Sequence, residues 1–92
     1  MSQTSQRNPQ TWSALIRAGN DCFNVGRYAA ALSMYHQALR AIESLIEEMA
    51  LCIPMLMAKI VSHHNRASAF LRLGRLEEAD VELEAAHAFV RA

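Results

Sequence analysis

The sequence predicts an all-α fold: two helix-turn-helix units in series, four helices in antiparallel pairs, with a lengthened central hairpin. Three observations carry this. Gly and Pro are scarce, 3 and 2 of 92 residues, in a chain rich in Ala, Leu, Glu and Arg, which enter helices at least cost. Apolar residues recur with the helical period over long runs. A stretch of sequence also occurs twice. Gly26-Arg27-Tyr28 is followed by Ala31, Tyr35 and Ala38, and Gly74-Arg75-Leu76 by Ala79, Leu83 and Ala86, at the same offsets and with residues of the same kind.

The first helix is predicted over 9–24. Asn8-Pro9 offers an N-cap and a first-turn proline, and Trp12, Leu15, Ile16, Gly19, Cys22 and Phe23 form its stripe. A turn around Gly26 leads into a long second helix, 28–52, in which Tyr28, Ala31, Leu32, Tyr35, Leu39, Ile42, Leu45, Met49 and Cys52 keep the period. Pro54 suits the first turn of a third helix, 54–73, with Leu56, Ile60, Ala67, Phe70 and Leu71 on its stripe. The fourth, 76–90, carries Leu76, Ala79, Leu83, Ala86 and Val90. The small residues Gly19, Ala31, Ala38, Ala67, Ala79 and Ala86 stand where paired helices must approach closely. Residues 1–8 are expected to be a flexible tail and 9–92 a single domain.

Nine basic residues balance nine acidic ones, so the chain lacks the positive field that nucleic-acid or anionic-membrane binding requires, and neither partner is expected. The run from Met49 to Ala58 is ten uncharged residues ending at Lys59 and broken by Pro54, against about 20 needed to span a bilayer. The N-terminus MSQTSQRNPQ has no apolar run to serve as a secretory signal. A cytoplasmic location is the expectation.

The pattern of small residue, turn glycine, aromatic or Leu, Ala, Tyr or Leu, Ala resembles the tetratricopeptide repeat (TPR), a unit of about 34 residues. Trp12, Leu15, Gly19, Tyr28, Ala31, Tyr35 and Ala38 match its first copy and Ala67, Leu76, Ala79, Leu83 and Ala86 its second. Glu43 stands where the repeat has a proline, and the units are set 48 residues apart, which adds about two turns to each middle helix. The lengthened middle and short chain also resemble a small, uncharacterised family of bacterial TPR-like proteins, which implies no particular activity. The TPR resemblance implies a protein-binding module with a peptide groove along the first helix of each unit. The matching positions are Ser13, Ile16, Arg17 and Asn20, then His64, Asn65, Ser68 and Arg72. Asn20 and Asn65 coincide with two asparagines of the carboxylate clamp of some such domains. Ile16 replaces the clamp's lysine and there is no third repeat, so the implied groove is a generic one.

No catalytic constellation, cofactor motif or metal signature is expected. Ser62 beside His63 lies in a helix without a strained elbow, and no Gly-rich phosphate loop is present. His63 and His64 point about 100° apart, with no carboxylate or cysteine one turn away, and His36 and His87 stand apart in sequence. Cys22 and Cys52 fall roughly 35 Å apart on antiparallel helices, which excludes a disulfide between them. Glu77, Glu78, Asp80, Glu82 and Glu84 read as a solvated acidic face suited to the start of the fourth helix.

Repeat arrays usually have at least three units and a polar capping helix, and this chain is expected to have two units and no cap. Ile46, Met49, Ile53, Met55, Leu56, Met57, Ile60 and Val61 surround the joint of the middle helices and wrap more of each helix than an intramolecular partner can cover. Two functions follow as expectations. The chain is a self-associating homodimer built on this hairpin, or a small chaperone or adaptor that holds a peptide or secreted client, as small TPR chaperones of bacterial secretion systems do by resemblance.

Overall fold

The computed structural model describes residues 9–49 and 53–91. Four α-helices follow one another: α1 (Pro9–Asn24), α2 (Tyr28–Met49), α3 (Ile53–Arg72) and α4 (Leu76–Arg91). The expected tail at 1–8, and the last turn of α2 through Cys52, lie outside the described residues. α3 starts one residue earlier than expected, at Ile53. Pro54 then sits in its first turn, where its missing N–H removes no intrahelical bond.

Both turns within the hairpins are built alike. Gly26 and Gly74 take positive φ, 84° and 78°, which only glycine adopts without strain. After α1, the Gly26 N–H donates to Phe23 O (3.0 Å) and the Arg27 N–H to Cys22 O (2.8 Å). After α3, the Gly74 N–H donates to Leu71 O (3.1 Å) and the Arg75 N–H to Phe70 O (2.9 Å). This is the paired Schellman closure of a helix C-terminus. The same arginines open the next helices, because Arg27 O accepts from Ala31 N–H (2.9 Å) and Arg75 O from Ala79 N–H (3.1 Å). The duplication read from the sequence thus extends to individual backbone bonds.

α1 packs on α2, α2 on α3 and α3 on α4. One core cluster holds Ala31, Leu32, Tyr35, Ala69, Phe70 and Ala79, with Ile16, Cys22 and Phe23 against it. The other holds Leu39, Ile42, Leu45 and Ala58, with Trp12, Ile46 and Met55 against it. The expected close-packing residues Gly19, Ala31, Ala38, Ala67, Ala79 and Ala86 are all buried. At Gly19 the approach is tightest: a Cβ there would stand 2.7 Å from Cδ1 of the Tyr35 ring and closer still to Cε1.

One expectation is corrected here. Tyr28 is half-buried, packed edge-on against Phe23 (5.1 Å between ring centres), but its counterpart Leu76 is exposed, as are Leu71 and Leu73 around the second turn. The physical reason is position in the stack. Arg72 of α3 lies over Phe23 and Tyr28 at 5.6 and 5.9 Å, and no described helix follows α4 to cover the second turn in the same way. α4 also presents Glu77, Asp80, Glu84 and His87 outward, beside the exposed apolar Leu76 and Val81.

Candidate functional site

The outward face of α3 carries the apolar surface of greatest interest. Ile53, Met57 and Val61 recur every four residues, which places them in one row on the helix, and they are 75, 55 and 39% exposed. Leu56 and Ile60 flank the row, half-buried. Ile46 and Met55 of the expected interface turn inward instead and pack on the core with Leu39, Ile42 and Leu45. They do so because α2 and α3 pack on each other, so the projecting hairpin buries part of its own apolar surface. Met49 closes α2, and its side chain is outside the described set. Among the described residues no helix is long and apolar enough to cross a membrane.

Three of the eight expected groove positions, Ile16, Asn20 and Arg72, make contacts within the chain. Trp12 Nε1 donates to Ser62 Oγ (2.7 Å), tying α1 to α3, and Ser62 Oγ donates on to Ala58 O (2.8 Å). Ile16 packs into the core. Asn20 Oδ1 accepts from the Tyr35 hydroxyl (2.6 Å). Burial, and secondarily Cys22, pushes that phenol above its ordinary pKa of 10.0, so it stays protonated as a donor. Arg72 lies over the two rings named above. Ser13 and Asn65 are half-buried, and Arg17, His64 and Ser68 are exposed. A shallow depression of about 510 Å³ lies on α2 and α1, lined by Thr11, Leu15, Ser33, His36, Gln37, Arg40, Ala41 and Ser44. At its edge His36 Nδ1 accepts from Arg66 Nη1 (2.9 Å).

That last bond belongs to a buried polar network which the sequence reading missed. Glu82 was expected on a solvated face and is 5% exposed. Its Oε2 accepts from Arg66 Nη2, and its Oε1 accepts from His63 Nδ1 (2.8 Å). Burial alone would raise the Glu82 carboxyl, but the hydrogen bonds from His63 and Arg66 and their charge outweigh it and hold it below the usual value. His36 is pushed below its ordinary 6.5, first by burial and then by the Arg66 charge beside it. The network joins α2, α3 and α4.

A family model described as a protein of unknown function (DUF2753) matches residues 10–91. The chain belongs to the DUF2753 family. No curated protein and no solved structure matches it. In this DUF2753 chain the match begins in the first turn of α1 and ends on the last residue of α4, so it covers all four helices and both the apolar face and the buried network. Cys22 is half-buried and free; Cys52 lies outside the described residues. Among the described residues no group of three or more His, Cys, Asp or Glu side chains could hold a metal ion.

The DUF2753 network also fixes a pH dependence. His36 has a lowered pKa in the folded chain, so between that value and about 6.5 the unfolded chain binds the extra proton and stability falls with falling pH. Glu82 is lowered too, so a second loss begins as pH falls below about 4.5. Denaturant midpoints are expected to be flat from pH 8 to about 7 and to decline below 6.5. A His36→Gln chain should lose the first decline and keep the second. An unchanged profile in that variant would show that His36 does not titrate as placed.

Proposed function

We propose that the chain is a non-catalytic, TPR-like protein-interaction module that self-associates through the outer face of α3. The observation that carries this is the row Ile53, Met57 and Val61, exposed on one face while the outer face of the terminal α4 is mainly polar. The TPR-like reading is supported by the twice-repeated turn with its positive-φ glycines and by the burial of the small residues at matching offsets.

Energetics favours a second copy as the occupant. Full burial of such a side chain stabilises by about 1.5–3 kcal/mol. Six of them across two copies, already partly covered, give about 5–10 kcal/mol, the size of the 4–15 kcal/mol that association costs. A two-fold axis lets one row serve as its own complement. The expected result is a concentration-dependent dimer. Sedimentation should show it at about 100 µM, a concentration at which a Kd of about 10 µM or tighter gives mostly dimer, and Met57→Glu should return a folded monomer. Met57 is the better site than Leu56, whose half-burial would mix dissociation with misfolding. A wild-type monomer at that concentration would rule out self-association and move the row to the alternative of a client-holding chaperone or adaptor, for which methionine's adaptable side chain is also suited.

A further inference from the structure

The geometry points to a two-histidine site for a divalent transition-metal ion, formed by His64 of α3 and His87 of α4. The two rings stand 5.8 Å apart between centres, with their planes at 67°. Imidazoles that share one ion at metal–nitrogen distances of about 2.0–2.1 Å and near-tetrahedral angles have ring centres roughly 5 Å apart. The rings meet edge to face, so rotation of the two side chains is what turns one nitrogen of each toward a common ion, a freedom that two exposed residues on the helix surface have.

The four histidines divide into two kinds. His36 and His63 are held inside the fold by Arg66 and Glu82. His64 and His87 are both exposed and carry no hydrogen bond among the described residues beyond their mutual ring contact. Their lone pairs are available to an ion. Glu77 and Asp80 add negative charge to the exposed side of α4, which favours a cation.

The donor set selects the ion. Imidazole suits zinc, nickel and copper rather than the oxygen-seeking magnesium and calcium. No third ligating side chain joins the pair among the described residues, so water fills the remaining positions and the ion is exchangeable, unlike that of a closed structural site. The sequence gives no sign of the pair because the ligands sit on different helices and meet only when α3 and α4 pack. A bound ion staples the second hairpin across those two helices.

The test uses tag-free protein titrated with Ni²⁺ and Zn²⁺ by calorimetry, with thermal melts alongside. One ion per chain should bind, and the melting temperature should rise with ion concentration, as for any ligand specific to the folded state. Mg²⁺ should do neither. His64→Gln and His87→Gln should each weaken binding at least tenfold while leaving the melt in chelator unchanged. In wild type, paramagnetic Ni²⁺ should broaden the ring resonances of His64 and His87 most strongly and that of His36 least. Absence of saturable binding, or binding that persists in the double variant, would overturn the site.

Discussion

Glu82→Ala is expected to destabilise the fold by about 3–5 kcal/mol, because it leaves a buried histidine and a buried guanidinium facing each other without their shared acceptor. A chain of this size has about 5–14 kcal/mol in total, and each kcal/mol moves the melting temperature by about 4–8 °C. The variant should therefore melt about 12–40 °C lower. Glu82→Gln, which keeps one acceptor and the shape, should fall between. The experiment separates two readings sharply: a carboxylate on a solvated helix face, like Glu77 or Asp80, changes stability by about 0.5 kcal/mol or less when removed. A melt within a few degrees of wild type would show that the network is not formed.

Gly19→Val is the second large effect. The Tyr35 ring lies in the space that any Cβ at position 19 needs. Tyr35 is 2% exposed and its hydroxyl is tied to Asn20, so the ring has little room to yield. Overpacking of this kind costs about 1–3 kcal/mol, and the upper end is expected because valine brings two further methyl groups to the same contact. Gly19→Ala should cost less, since alanine recovers about 1 kcal/mol of helix propensity. Shortening the ring partner with Tyr35→Leu in the Gly19→Val background should restore part of the loss. Two penalties that simply add would mean that the residues do not touch.

Much of the fold was legible because its causes are local. Helix ends are set by Gly26, Gly74 and Pro54, and the buried stripe by the spacing of Ala31, Leu32, Tyr35, Ala38 and Leu39; all of these are readable without knowing what lies opposite. The inner contacts were less legible. Glu82 falls between Ala79 and Ala86 at three and four residues, a buried position by spacing alone, yet its charge and acidic neighbours suggested solvent. Only the packing of α3 on α4 brings His63 and Arg66 to it. The same limit applies to the apolar hairpin. The sequence reading noted its apolar residues, but could not divide the inward Ile46 and Met55 from the outward Ile53 and Met57, because that division depends on how α2 and α3 are rotated about their axes.

The turns at Arg27 and Arg75 have a mechanical consequence. In each, one arginine contributes its N–H to the end of one helix and its carbonyl to the start of the next, so no slack residue separates the two rods. The α2–α3 interface is joined by side chains, among them the ion pair of Lys59 with Glu43 at 3.3 Å and the bond of Arg66 to His36. The hairpins are thus each closed by backbone bonds, and the two are held to each other by side chains and a shared core.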